Sequence, residues 1–222
     1  MAINKEILSE LVKELALRNA TLVAVSKTKP VEAIQEVYAT GHKIFGENYV
    51  QELADKHALL PKDIEWHFIG HLQTNKVKFI APFVSLIHGV DSLKLLKEID
   101  KEAKKNNRII PCLLQIFIAK EETKFGLSFE EAEELLASPE LKKLQHVQIK
   151  GLMGMATLTD DLDKIKREFK TLASFFNEVR NCRLPTVDCR LLSMGMTSDY
   201  KIALEEGSNM VRIGSAIFGE RN

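Results

Sequence analysis

A lysine follows an apolar run near the start of the chain, where a buried strand is expected to end. Lys27 comes after residues 22–25 (LVAV), and its position directs the side chain inward. A buried lysine is costly unless it is paired or used, and burial lowers the pKa of its amine. The free amine can then form a Schiff base with an aldehyde or ketone. Two alternatives remain: the side chain reaches the rim, or it pairs with a neighbour such as Glu47.

Two loops rich in small residues follow short apolar runs near the end of the chain. They are residues 193–199 (SMGMTSD) and 214–219 (GSAIFG). Glycine lets the backbone approach a bound molecule closely, and free N–H groups at the start of a helical turn attract anions. Side by side, the two loops predict a phosphate pocket. Taken separately, each is equally explained as an ordinary turn with an N-cap from Thr197 or Ser198.

An arginine lies two residues before the second loop. Val211 and Ile213 share one side of this run, so Arg212 is expected on the other side, pointing inward. A buried guanidinium needs acceptors, and an inward salt bridge to a carboxylate is the simplest alternative. A Schiff-base lysine, a phosphate pocket and an inward arginine together favour two ligands. One is pyridoxal 5′-phosphate (PLP), and the other is a sugar phosphate bound as in a class I aldolase.

Common nucleotide, metal and serine-nucleophile motifs are missing from the sequence. Gly41 and Gly46 have Walker A spacing, but Glu47 follows where lysine is required. His67 and His71 are four residues apart, yet they straddle a predicted strand end and the HExxH pattern is absent, so no metal is expected. Neither GxGxxG nor GxSxG occurs.

The composition narrows the class of protein further. The 222 residues contain 31 Lys and Arg against 31 Asp and Glu, so the formal net charge is zero. The excess of positive charge that is typical of a nucleic-acid binder is therefore missing. No apolar run approaches the roughly 20 residues of a membrane span, and residues 1–17 lack the pattern of a secretory signal. The odd cysteine count predicts a reducing, cytoplasmic location and buried thiols. The three cysteines are Cys112, Cys182 and Cys189.

Short β-rich runs alternate with longer runs of helical spacing after a leading helix. Strands are predicted at residues 21–26, 43–45, 65–69, 84–88, 109–117, 146–151, 190–192 and 210–213. Helices are predicted at residues 3–18, 31–39, 49–59, 75–80, 92–105, 128–137, 162–180 and 198–206. Serine N-caps are expected at Ser92 and Ser128, the latter with Glu131 in a capping box.

Eight βα units predict an α/β fold, a single (β/α)8 TIM barrel with an extra N-terminal helix, as one domain over residues 1–222. The competing fold is an open doubly wound sheet without the weak strands at 43–45 and 190–192. In a barrel the active site lies at the carboxyl ends of the strands, and phosphate often sits after strands seven and eight. These are the positions of the two small-residue loops.

Six segments together carry a family resemblance that covers nearly the whole chain. They are AVSKTKP (24–30), FGENYVQE (45–52), WHFIGHLQTNK (66–76), GLMGM (151–155), SMGMTSD (193–199) and VRIGSAIFG (211–219). In these motifs the chain resembles the pyridoxal 5′-phosphate homeostasis proteins, PLP-binding proteins with an alanine-racemase-like barrel. The resemblance implies PLP fold type III without the second β domain of the racemases.

The resemblance also implies a role for each matching position. Lys27 would form the Schiff base and Arg212 would face the pyridine nitrogen. The phosphate would be held by Ser193, Met196, Thr197, Gly214 and Ser215. Asn48, His71 and Met153 would complete the cofactor site, with Lys29 and Lys124 near its mouth. Thr197-Ser198 departs from the usual family pattern of serine followed by a variable residue, but a hydroxyl is kept.

An arginine at the pyridine nitrogen argues against a dedicated enzyme. A guanidinium cannot accept a proton, so the nitrogen stays largely unprotonated and the ring is a weak electron sink. Racemases of this fold add a tyrosine from a second domain of the partner subunit, and the chain is expected to lack that domain. We therefore expect a cytoplasmic, monomeric protein that buffers or carries PLP for PLP-dependent apoenzymes, without nucleic-acid or membrane partners. The alternative is a weak PLP-dependent amino-acid racemase or related enzyme.

Overall fold

The computed structural model describes residues 3–119, 125–181 and 185–219, so Lys124 and Cys182 lie outside the described residues. Within these ranges, eight parallel strands close into a barrel in chain order. The strands are β1 (Thr21–Val25), β2 (Ile44–Glu47), β3 (Glu65–Phe68), β4 (Leu86–Val90), β5 (Ile110–Gln115), β6 (Val147–Met153), β7 (Val187–Ser193) and β8 (Met210–Ile213). The predicted barrel is confirmed. The open sheet is wrong, because β1 pairs with β8 as well as with β2.

Helices connect the strands and surround the barrel. They are α1 (Lys5–Leu17), α2 (Val31–Tyr38), α3 (Val50–Leu59), α4 (Val77–Ile80), α5 (Leu93–Lys105), α6 (Phe129–Ala137), α7 (Leu162–Val179), α8 (Tyr200–Glu205) and α9 (Ser215–Phe218). The serine caps are confirmed: Ser92 accepts a hydrogen bond from the Leu95 amide, and Ser128 forms the capping box with Glu131. No helix in the described part of the chain has the length and apolar content that crossing a bilayer requires.

Strand ends differ from the predictions where the residues alternate in polarity. β7 runs from Val187 to Ser193, beyond the predicted 190–192, because its backbone pairs with β6 from Val187 onward although Asp188 interrupts the apolar pattern. β2 extends to Glu47, whose carboxylate is buried although its type favours the surface. The carboxyl ends of the strands therefore carry more polar residues than hydrophobic periodicity alone indicates.

The barrel has an outer apolar layer against the helices and a smaller inner layer. The buried inner residues are Val23, Leu86, Leu113, Met153 and Met210. On β8, Val211 and Ile213 belong to the outer layer, while Met210 and Arg212 face inward. The predicted alternation around Arg212 is confirmed, and it results from the two-residue period of a strand.

Close backbone packing between β6 and β7 depends on a glycine. Gly151 has φ of 154°, and a Cβ there would lie 1.7 Å from the Leu191 carbonyl oxygen. The strand register also shifts between Ile149 and Gly151. A side chain at position 151 would therefore push the two strands apart.

We predict that Gly151→Ala lowers the free energy of unfolding by about 3–4 kcal/mol, since it combines a backbone clash with an unfavourable φ. Gly41→Ala is the matched control: Gly41 has φ of 93°, but an added Cβ meets nothing within 4 Å. The control is expected to lose only about 1–2 kcal/mol, the cost of left-handed backbone. Urea unfolding measures both, and equal losses would contradict the close approach of Leu191.

Candidate functional site

A cavity of about 390 Å³ opens at the carboxyl ends of the barrel strands. It brings together residues that are far apart in the sequence. Seven of the predicted site residues line it: Lys27, Asn48, Met196, Thr197, Arg212, Gly214 and Ser215. Lys29 also lines it, as do Ser198 and Gly219 of the two predicted loops and Ile69 of the 66–76 segment. Val25 and Met155 line it without having been predicted as site residues. Apolar residues at strand ends cannot be recognised as site residues from the sequence, because they carry no reactive or polar group.

The two small-residue loops meet at one side of this cavity. The Ser215 hydroxyl donates a hydrogen bond to Thr197 Oγ1 at 3.2 Å, which joins the loop after β8 to the loop after β7. The predicted side-by-side arrangement of the loops is therefore confirmed. The two hydroxyls and the neighbouring backbone form a small polar surface of the kind that binds phosphate oxygens.

Short-range contacts hold the first of these loops in shape. Asp199 Oδ1 accepts the Met196 amide at 2.6 Å, and the Met196 carbonyl accepts the amides of Asp199 and Tyr200. Burial raises the pKa of Asp199, while its bond from the Met196 amide favours the charged form. The loop is thereby fixed with Thr197 and Ser198 on the cavity wall.

The second loop packs directly against the end of β1. A Cβ at Gly214 would lie 3.0 Å from the Val25 carbonyl oxygen and 3.2 Å from Val25 Cβ. These distances are shorter than ordinary van der Waals contacts, so a side chain at position 214 would push the loop away from β1. Glycine therefore lets the loop lie next to the strand that precedes Lys27. The amine and the hydroxyls thus share one cavity.

Arg212 lies at the cavity with its side chain buried in the barrel. Its guanidinium donates to the Ser193 carbonyl at 2.9 Å, to Ser193 Oγ at 2.6 Å and to the Gly154 carbonyl at 3.0 Å. These acceptors are neutral, so the hydrogen bonds described here replace the salt bridge that was the alternative. Burial lowers the pKa of Arg212 to about 10, and the group stays charged at neutral pH.

A chain of buried side chains continues from Arg212 across the barrel. Ser193 Oγ lies 3.1 Å from His88 Nδ1, and His88 Nε2 lies 3.1 Å from His67 Nδ1. The Ser193 hydroxyl accepts from Arg212 and has one proton of its own to donate. Donation of that proton to His88 Nδ1 places the His88 proton on Nε2, which then donates to His67. Burial lowers the pKa of His67 to about 3 and that of His88 well below the usual range, in keeping with two neutral rings.

Three predicted site residues lie away from the cavity wall. Ser193 is fully buried behind Arg212, and its hydroxyl is engaged by Arg212 and His88. Met153 belongs to the inner apolar layer. His71 lies in a separate cavity, and its ring pairs with Asp91 at 3.3 Å and stacks on Phe125.

One physical reason explains why these three predicted residues do not line the cavity. Which face of a strand, or which side of a loop, a residue occupies depends on register and loop path, and a motif does not show either. His88 was missed altogether, although a polar residue inside an otherwise apolar strand run was a signal for it. His67 and His71 do not approach one another, since His67 contacts His88 instead.

Asn48 presents an unsatisfied polar atom at the cavity. Its side-chain oxygen is buried, and it has no hydrogen-bond partner among the described residues. A buried acceptor without a donor costs free energy that a bound polar molecule would recover. Together with the tight cradle at Gly214 and the paired hydroxyls, this orphaned atom fits a compact ligand with both a phosphate and a polar ring.

Lys27 lies in a turn just after β1, and not at the strand end as predicted. The Lys29 amide donates to the Ser26 carbonyl at 3.0 Å and closes the turn. Thr28 has φ of 62°, which is a genuine outlier for a β-branched residue and costs about 1–2 kcal/mol. Lys27 itself is half-buried and lines the cavity.

The described cysteines lie outside this site. Cys112 and Cys189 are buried, and neither lines the cavity. Burial raises the pKa of the Cys112 thiol, as expected for a structural cysteine.

Comparison with known proteins places these features in a family. Residues 7–222 match the family model of the alanine racemase N-terminal domain. The pyridoxal phosphate homeostasis protein of Aquifex aeolicus is 42% identical over 206 residues, covering 91% of this chain and 87% of that protein. The protein of the same name from Haemophilus influenzae is 38% identical over 204 residues, covering 90% and 85%.

Solved structures agree with the sequence comparison. PipY of Synechococcus elongatus without PLP has a TM-score of 0.89 and 36% identity, with 96% of this chain and 99% of that chain covered. The structure of PipY with PLP bound has a TM-score of 0.85. Alanine racemase of Bartonella henselae, at 18% identity and a TM-score of 0.69, shows the shared fold over 60% of its length. On this evidence the chain belongs to the pyridoxal phosphate homeostasis protein family, built on the alanine racemase N-terminal barrel.

Proposed function

We propose that this protein binds PLP through Lys27 and serves PLP homeostasis by buffering or carrying the cofactor. The observation that carries the proposal is a single cavity lined by Lys27, Arg212, Asn48, Thr197 and Ser215. The PLP-bound structure of PipY and the name shared by the curated relatives support it. PLP-dependent apoenzymes are the recipients that we propose.

When bound, PLP would supply an aldehyde with which the Lys27 amine could form a reversible C=N linkage, with loss of one water. Lys27 contributes the amine and its placement at the cavity. Because a free aldehyde reacts with many amines, holding it on Lys27 protects both the cofactor and other cellular components.

The hydroxyls and the tight backbone wall hold the phosphate in this proposal. Thr197 and Ser215 can donate to phosphate oxygens, and Gly214 keeps the loop close to β1. Hydrogen bonds to a charged group each contribute roughly 1.5–3 kcal/mol. The phosphate is therefore expected to dominate affinity.

Arg212 favours storage over catalysis. Its guanidinium is already fixed by three oxygen atoms and can only donate, so it cannot take up a proton from the ring nitrogen or stabilise a protonated one. An unprotonated ring withdraws electrons weakly, which disfavours the carbanion chemistry of PLP enzymes.

The tyrosines are placed away from the cavity wall, which weakens the racemase alternative. The Tyr38 hydroxyl donates to Asp63 and the Tyr200 hydroxyl to Glu14, while Tyr49 is exposed. None of the three is among the residues lining the cavity. Conversion of L-alanine to D-alanine that is lost in Lys27→Ala would favour the catalytic alternative.

We predict that borohydride reduction of the PLP-loaded protein leaves a pyridoxyl group on Lys27, located by peptide mass mapping. Lys27→Ala should lose both the adduct and the visible absorption of the bound cofactor, because its methyl group cannot form a C=N bond. Lys104→Ala, which removes an exposed amine from α5, is the control and should retain both. Circular dichroism checks that each variant is folded.

Two outcomes would contradict this assignment. An adduct mapped to another lysine would remove Lys27 from the proposal. If the wild-type protein stays colourless with added PLP, PLP is not its ligand, and a sugar phosphate becomes the favoured ligand of the cavity.

We predict that Thr197→Val weakens PLP binding about tenfold or more, since it removes one hydroxyl from the phosphate at nearly constant volume. Pyridoxal, which lacks the phosphate, is the matched ligand and should bind both proteins alike. Titrations followed by visible absorption measure the four affinities. A parallel loss for PLP and pyridoxal would place Thr197 away from the phosphate.

A further inference from the structure

A buried ion cluster lies beneath the turn that carries Lys27. Lys56 Nζ, on α3, donates to Glu47 Oε1, to Glu52 Oε1 and to the Ser26 carbonyl, each at 2.7 Å. The Ser26 hydroxyl donates to the same Glu47 oxygen at 2.6 Å. Burial raises the pKa of Glu47, while Lys56 and Ser26 favour its charged form. None of these contacts belongs to the cavity wall described above.

The cluster is attached to the turn on both sides of Lys27. Ser26, the first residue of the turn, is bonded through its carbonyl to Lys56 and through its hydroxyl to Glu47. On the other side, the Thr28 amide donates to Glu52 Oε1 at 2.6 Å. A bond to a carboxylate at this distance is a strong, charge-assisted one.

The backbone between these two attachments adopts an unfavourable conformation. The turn closes from the Lys29 amide to the Ser26 carbonyl, and its third residue, Thr28, has φ of 62°. Glycine normally occupies that place in a turn with positive φ, and threonine there persists only where the surroundings impose it. The bond from the Thr28 amide to Glu52 is a contact that can impose it.

We propose that Glu52 and Lys56 are positioning residues, which hold the Ser26–Lys29 turn in the conformation that presents Lys27 to the cavity. Lys56 orients the Glu52 carboxylate, and Glu52 captures the Thr28 amide. This inference rests on the proposed binding of PLP by Lys27. It assigns a role in that binding to residues that do not contact the cofactor.

An electrostatic role makes a different prediction from a positioning role. One lysine and two glutamates give the cluster one formal net negative charge, and an electrostatic role would have this charge act directly on the Lys27 amine. Glu52→Gln removes the charge of residue 52 and keeps an oxygen that can accept the Thr28 amide. Thr28→Gly leaves every charge in place and removes the backbone strain.

The test compares wild type with Glu52→Ala, Glu52→Gln, Thr28→Gly and the double variant Glu52→Ala/Thr28→Gly. PLP affinity is measured by visible titration, and the reduced adduct on Lys27 by mass mapping. Glu52→Ala should lower affinity about tenfold if the competent fraction of turn conformations falls to about one tenth. Glu52→Gln should stay near wild type, and Thr28→Gly should restore most of the affinity in the Glu52→Ala background.

Asp55→Ala is the matched control, because it removes another carboxylate of α3 that contacts Gln51 and not the turn. The Glu52 side chain is 23% exposed, so its truncation leaves less of a cavity than truncation of Lys56 would. Thermal melts report folding of every variant. If Glu52→Ala fails to fold, the comparison of Glu52→Gln with wild type decides between positioning and charge.

The outcomes separate this inference from the proposed function. A wild-type adduct on Lys27 with unchanged affinity in folded Glu52→Ala would overturn the inference alone. Equal losses in Glu52→Gln and Glu52→Ala, without rescue by Thr28→Gly, would overturn positioning in favour of charge. A wild-type protein without the Lys27 adduct would overturn the proposed function, and this inference with it.

Discussion

Pairing of the first strand with the last is the constraint on which the candidate site depends. Closure of the barrel places Val23 opposite Arg212 and Ala24 opposite Ile213. It thereby brings the turn after β1 against the loop after β8, although nearly the whole chain separates them. In an open sheet these two edges would be apart, and the amine of Lys27 would not share a cavity with the hydroxyls of Thr197 and Ser215.

Two buried cations near the site are stabilised in opposite ways. Arg212 is surrounded by carbonyl and hydroxyl oxygens, whereas Lys56 is held between two carboxylates. Desolvating a charge is costly, so each cation persists only with several oxygen acceptors around it. The Asp199 carboxylate favours the charge of Arg212 electrostatically, without a hydrogen bond among those described, whereas the carboxylates at Lys56 bind it directly and connect a helix to a turn. The two arrangements suit a guanidinium that faces a bound molecule and an ammonium that fixes backbone.

The polar chain behind Arg212 adds rigidity to the same region. Ser193, His88 and His67 connect Arg212 on β8 to strands β7, β4 and β3 inside the barrel. Such a chain is favourable only when every member is satisfied, which ties the position of the guanidinium to the packing of four strands. A fixed donor-only group suits binding of a cofactor more than its activation.

Local patterns in the sequence were enough to predict the barrel and the rough composition of the site. The alternation of Val211, Arg212 and Ile213 separates the side that packs on the helices from the side that faces the barrel interior. The serines at positions 92 and 128 mark helix starts, and all these signals act between near neighbours. The placement of the two loops after β7 and β8, and of Lys27 close behind β1, followed from the order of the βα units. The family motifs then favoured PLP over a sugar phosphate as the ligand.

Only the tertiary structure decided which candidates reach the cavity. Ser193, Met153 and His71 carry suitable chemistry in matching motifs, but strand register and loop path turn them to other surroundings. The support of Thr28 by Glu52 and Lys56, and the chain through His88, join residues from different βα units. Sequence alone therefore determined the elements and the kinds of groups available, because these depend on local propensity. Their mutual distances depend on how the barrel closes, and a single sequence does not contain them explicitly.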